Sequence, residues 1–289
     1  MTSPRPSWKG DAALVFCAVG WGATFPVVNA AMRAASPVAF NAARFLLAAT
    51  ALAWILYSPG PAAIRRAAGW GAGLGALLAA GFSMQAWAIP QVGPTRSAFL
   101  TAFYVIFTPL LDWLATGRRP PPSTALGALL AFAGAAAMSG VGIGGAPSLA
   151  DLATLAAALL FAGQLVGVHA ALRLHSSRAL LFAQVLATGL ICAAAAPILE
   201  TIRFEASPGM MARLLFLSLV ATALFLGLQN YGQGHTTPTR AAILFASEPA
   251  WAALFGWFAG EALKPHEIAG AVVVLAGILV ATVHPRAGG

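Results

Sequence analysis

Long apolar stretches alternate with short polar breaks along the whole chain. Ten stretches have about membrane-spanning length: 12–32, 37–57, 69–89, 95–115, 123–141, 150–172, 178–199, 211–232, 239–259 and 267–284. Turn-forming residues separate them at Ser36-Pro37, Ser58-Pro59-Gly60-Pro61, Pro90 to Pro94, Pro120-Pro121-Pro122, Gly142 to Pro147, Ser207-Pro208-Gly209 and Lys264-Pro265. No soluble domain fits between any two stretches. The pattern predicts an all-α membrane protein with ten transmembrane helices.

The pattern also occurs twice. Residues 11–50 lie on residues 151–190 at a constant offset of 140. Residues 69–139 lie on residues 213–282 at an offset of 144, with a one-residue slip near the end. Pro94-Thr95-Arg96 against Pro238-Thr239-Arg240, Gln85 against Gln229 and Trp113 against Trp257 anchor the second register. We read one transmembrane domain over 1–289, with a first five-helix repeat at 11–142 and a second at 151–284. Five is odd, so the second repeat enters the membrane from the opposite face. Inverted repeats are a device for alternating access and point to transport.

Composition strengthens the membrane reading. The 289 residues are 60% hydrophobic and only 8% charged, too little charge to cover a soluble surface. The net charge of +8 does not imply a nucleic-acid partner. The basic residues are scattered through short loops, and no basic stripe is interleaved with exposed aromatics. Arg5 and Lys9 precede an apolar run, as in a signal peptide. That run is too long for such a segment and matches the one after Asp151, so it reads as a structural helix. Cys17 and Cys192 lie inside apolar stretches and read as small packing residues.

Loop arginines and lysines set the expected orientation. With the N-terminus inside, Arg5, Lys9, Arg65, Arg66, Arg118, Arg119, Arg173, Arg178, Arg240 and Arg286 are inner. Arg33, Arg96, Arg203, Arg213 and Lys264 are outer, and Arg44 lies within a span. Both termini are then cytoplasmic. Gly71 and Gly75, Gly163 and Gly167, and Gly256 and Gly260 have the spacing for close helix packing.

Ionisable groups deep in a membrane are costly, so they mark candidate function. Glu248 falls near the middle of the ninth span, directly before Pro249, and is the candidate proton-coupling group. A structural ion pair or a capping role beside the proline is the alternative. Arg44 lies within the second span and reads either as a static structural residue or as a substrate contact. Asp112, near the inner end of the fourth span, reads as an interfacial carboxylate close to Arg118 and Arg119.

Polar and aromatic side chains form a second set. Gln229 and Gln233 share one helix face, with Asn230 and Tyr231 beside them, and Gln85 and Trp87 match this group in the first repeat. Trp21, Thr24 and Asn29 match Phe161, Gln164 and His169. Tyr104 stands where the second repeat has Glu248, and Gln184 where the first has Arg44. Trp21, Thr24, Arg44, Gln85, Trp87, Tyr104, Gln164, Gln229, Asn230 and Tyr231 are therefore placed along the substrate path. Interhelical bonding for the amides, and an interfacial belt for Trp87 and Tyr231, compete with that reading. Arg96 and Arg240 open the fourth and ninth spans. They read as vestibule residues that attract anions or as snorkelling arginines.

These residues carry a resemblance to the drug/metabolite transporter superfamily in its EamA-type branch. Gly20-Trp21-Gly22-Ala23-Thr24-Phe25 is similar to the family's opening signature, and Ser36-Pro37 with Arg44-Phe45 resembles its second helix. Ala246-Ser247-Glu248-Pro249, Gly260-Glu261-Ala262-Leu263, Gly270 and Gly277 resemble its most recognisable stretch. The chain departs from the family at Gly117-Arg118, at Tyr104-Val105 and at Phe161. The resemblance implies export of an amino acid, metabolite or drug-like solute, with proton exchange in many members.

The expectation is a secondary active transporter of the bacterial inner membrane, with a small solute, the bilayer and possible protons as partners. A facilitative uniporter or channel-like exporter is the alternative, and an intramembrane enzyme is the rival from another class. His266-Glu267 is not completed to a zinc motif, and no Gly-x-Ser-x-Gly or Walker A sequence occurs. The residues call for no cofactor or metal ion. They leave the solute and the oligomeric state open.

Overall fold

A computed structural model describes residues 7–55, 60–139, 147–258 and 264–282. Arg5, Arg286, Gly142, Gly260, Glu261, Ala262, Leu263 and the 58–59 break lie outside the described residues, as does the Trp257 side chain. Among the described residues the elements are helical, with no strand.

Among the described residues, six units are long and apolar enough to cross a membrane: Trp8–Ala31, Gly60–Val92, Pro94–Thr116, Leu149–Ala171, Ser177–Leu199 and Pro208–Gln233. Shorter apolar helices cover Pro37–Ala53, Pro122–Met138 and Ile268–Ala281. Continuous helices are α3 (Pro37–Ile55), α4 (Gly60–Val92), α7 (Pro122–Ser139), α8 (Leu149–Ala171), α9 (Ser177–Leu199) and α14 (Pro265–Thr282).

The uninterrupted helices expected at 12–32, 95–115 and 239–259 are broken. The first is α1 (Trp8–Gly22) and α2 (Thr24–Ala31). The next is α5 (Pro94–Thr101) and α6 (Tyr104–Thr116), and its counterpart is α12 (Pro238–Phe245) and α13 (Glu248–Phe258). Pro249 lacks an N–H and so suits the first turn of α13. Val105 occupies the matching place in α6 and keeps its N–H, which bonds tightly back to the Ala102 carbonyl at 3.0 Å. A break of one or two residues leaves hydrophobic periodicity intact, so the pattern alone cannot show it.

Two further differences have local causes. The eighth span is α10 (Pro208–Leu215), a wider π-type segment (Phe216–Leu224) and α11 (Phe225–Gln233). The third span extends well beyond 69–89 because Pro61 suits a first helical turn and the alanine-rich stretch after it continues the helix. Arg65 and Arg66 end the apolar reading there without ending the helix.

Glycines set the close helix contacts. A Cβ on Gly71 would meet Ala183, and one on Gly75 would meet the Ala187 Cβ at 2.6 Å, so α4 and α9 run parallel in contact. A Cβ on Gly127 would meet the Gly277 carbonyl at 2.6 Å, and one on Gly134 the Gly270 carbonyl at 2.6 Å. Helices α7 and α14 are therefore antiparallel. Gly127 matches Gly270 in sequence and Gly134 matches Gly277, so the two contacts exchange under one internal two-fold operation. Cys17 and Cys192 are buried free thiols.

This packing separates two classes of glycine. Gly134→Ala should destabilise the protein by about 1–3 kcal/mol, because backbone and not a mobile side chain must yield. Gly73→Ala meets nothing within 4 Å and should leave stability unchanged or slightly raised. Thermal unfolding in detergent checks both, and equal midpoints would contradict the packing assignment.

Candidate functional site

The broken helices converge on one cavity, lined by side chains from both halves of the chain. Trp21, Thr24, Arg44, Gln85 and Tyr104 reach it from the first half of the chain. Gln164, Gln229 and Glu248 reach it from the second. Phe82, Phe161 and Phe245 complete much of the apolar wall. Trp21 is fixed by its indole N–H, which donates to the Ala221 carbonyl at 2.9 Å, and by edge-on packing against Phe225 and Phe245. Gly20 is needed beside it, since a Cβ there would overlap the Phe225 ring.

The two buried charges have separate partners. The Arg44 Nε donates to Thr222 Oγ1 at 2.7 Å. Thr222 Oγ1 in turn donates to the Leu217 carbonyl, five residues back along the π-type segment, at 2.8 Å. The wider turn thus orients the hydroxyl that receives Arg44. The guanidinium also lies 4.7 Å from the Phe82 ring centre and 5.3 Å from that of Phe45. These faces complement a cation where water is scarce. The structure thus gives each of the two charges its own neighbour, Thr222 for Arg44 and Tyr104 for Glu248.

Glu248 Oε1 accepts from the Tyr104 hydroxyl at 3.3 Å. These two residues are sequence counterparts at the 144 offset. A residue that touches its own counterpart sits on the internal two-fold. Two carboxylates at that spacing would repel each other strongly in a poorly solvated site. The tyrosine replaces one of them and supplies a donor to the other.

A chain of amides lines the second half. Gln164 donates to Gln184 at 3.1 Å, and Gln184 donates to Asn230 at 3.2 Å. Gln229 donates to both Gln164, at 2.8 Å, and Gln233, at 3.0 Å. Gln85 in the first half instead donates to Thr101 at 2.9 Å. Each amide is held in one orientation by its neighbour, which leaves the cavity wall polar but ordered.

Other sequence candidates lie elsewhere. Trp87 and Tyr231 are 40% and 42% exposed and do not line this cavity. Asn230 is buried behind Gln184 in the amide chain. Arg96 and Arg240 are each bound to an aspartate, Asp151 and Asp11 respectively. Asp112 lies within electrostatic reach of His169 and Arg173. Phe45, Phe82, Thr101 and Thr222 escape sequence reading because their roles depend on tertiary neighbours. Asp11 and Asp151 had a signal in their duplication, which the reading used only to set the register.

Comparison with known proteins places this architecture. The EamA-like transporter family model matches twice, over residues 8–140 and 148–283. A protein of Archaeoglobus fulgidus, described as an uncharacterized transporter, is 28% identical over 275 residues. The match covers 95% of this chain and 86% of that protein. A solved crystal structure has the same fold, with a TM-score of 0.78 at 18% identity, covering 96% of this chain and 97% of the other. With its two family segments spanning nearly the whole chain, this integral membrane protein belongs to the EamA-like transporter family.

Proposed function

We propose that the protein is a secondary active transporter that exports a small organic solute from the cytoplasm by alternating access. The observation that carries this reading is the cavity itself. It lies where broken helices from both halves meet, and it contains one buried cation and one buried carboxyl. Broken helices are tolerated at membrane depth where they line such a cavity. The exchanged glycine contacts of α7 and α14 support two inverted five-helix repeats, at 11–142 and 151–284, in one ten-span domain. The excess of arginine and lysine in alternate loops supports an inner-membrane orientation with both termini cytoplasmic.

Arg44 offers charge to an anionic group of the solute, and Gln85, Gln164 and Gln229 offer hydrogen bonds. Trp21, Phe82 and Phe161 offer apolar faces. An amino acid or a drug-like solute with an anionic end suits this combination. Glu248 is the coupling group. Its place on the internal two-fold gives it equivalent relations to both faces, as a carrier that loads on one side and unloads on the other requires. Tyr104 marks the proton-bearing position and holds the carboxyl in the cavity.

Reconstituted protein should show saturable solute flux that rises with an imposed pH gradient and falls when the gradient collapses. Glu248→Gln should reduce gradient-driven flux by about tenfold or more while preserving thermal stability. Full retention of gradient-driven flux would exclude Glu248 as the carrier. Thr222→Val should act differently. It leaves Arg44 buried without its hydroxyl partner and should cost about 1.5–3 kcal/mol of stability. An unchanged thermal midpoint for that variant would show that the bond is dispensable.

A further inference from the structure

Four charged residues outside the cavity form two matched ion pairs. Arg96 Nε and Nη2 donate to the two Asp151 oxygens at 2.6 and 2.9 Å. Arg240 Nε and Nη2 donate to the two Asp11 oxygens at 3.2 and 2.6 Å. Both pairs are bidentate, which fixes geometry as well as charge. Asp11 matches Asp151 and Arg96 matches Arg240, so each pair is the image of the other. Each pair also joins one half of the chain to the other half.

We propose that these pairs are the two latches of the transporter, one closing the cavity toward each face of the membrane. This rests on the alternating-access reading. Asp11 lies ten residues before Trp21 on α1, and Asp151 lies ten residues before Phe161 on α8. Each is therefore about 15 Å along its helix from the cavity wall. Arg96 and Arg240 stand in the first turn of α5 and α12, whose far ends supply Thr101 and Phe245 to the same wall. On the ten-span reading α1 opens the first span and α8 the sixth; the chain crosses the membrane five times from the start of one to the start of the other, so they start at opposite faces. One latch then lies at each mouth.

The solvation of the pairs suits reversible opening. The Arg96 and Arg240 side chains are 38% and 16% exposed, and those of Asp151 and Asp11 are 5% and 21% exposed. Partial exposure lets water replace the partner when a pair separates, whereas a fully buried pair would resist separation. The latches differ in one respect. Asp151 also accepts from the Ser148 backbone N–H and hydroxyl in a capping box, so its carboxylate is held even when Arg96 leaves. Both latches are closed in this structure.

The test uses the full-length protein with Cys17→Ala and Cys192→Ala, and Val28→Cys as a reporter on the cavity wall. Vesicles of either orientation are labelled with a membrane-impermeant thiol reagent. Arg240→Gln should raise labelling from the cytoplasmic face roughly fivefold and lower it from the other. Arg96→Gln, which leaves the capping box intact, should produce the opposite pair of shifts. The exchange Asp11→Arg with Arg240→Asp should restore the starting pattern and so separate latch loss from misfolding. Shifts in the same direction for both glutamine variants, or no shift in either, would overturn the proposal. The labelling needs no solute. Opposite shifts without saturable flux would retain the latches and remove the transport reading; saturable flux without shifts would do the reverse.

Discussion

In hydrocarbon a backbone carbonyl or amide without a partner costs several kcal/mol, and this single penalty shapes the whole molecule. It makes the described elements helical. It also confines helix breaks to places where freed groups meet protein or a cavity. Ala102-Phe103 and Ala246-Ser247 lie at such places, each immediately before a cavity residue, Tyr104 or Glu248. The same penalty explains the amide chain from Gln233 to Asn230 and the Thr222 hydroxyl that receives Arg44. Those polar side chains persist at this depth because each of them has a fixed neighbour.

Duplication gives those neighbours their arrangement. Most positions meet something other than their counterpart, so the two halves diverge freely there. Tyr104 and Glu248 do not have that freedom, because they face each other. Identical carboxylates at these two positions would repel. The ion pairs show the other possibility. Asp11 and Asp151 never meet, so both remain acidic, and Arg96 and Arg240 remain basic.

The cavity combines rigidity with a small number of ionisable groups. Its aromatic walls are set by close contacts at Gly20 and Gly81, where an added Cβ would meet Phe225 and Phe161. Arg44 is oriented by Thr222 and by two aromatic faces. On the proposed transport reading, such a site would recognise a solute by shape and by one or two charges rather than by many hydrogen bonds.

Hydrophobic length and the doubled register determined, from sequence alone, the helical class and a two-repeat plan. They did so because hydrocarbon thickness and helix rise are fixed numbers, and because matched residues record a common origin. Arg44 and Glu248 were legible for the same reason: charge inside a span is conspicuous. Trp87 and Tyr231 show the limit, since their duplication placed them as a pair but not on the cavity wall. Only the tertiary structure decided which side chains face inward, where three helices break, and which residues partner the charges. Thr222 reaches Arg44 across 178 positions of sequence, and Asp11 reaches Arg240 across 229. No local pattern encodes those contacts, because they arise from how the helices cross rather than from how any one of them is written.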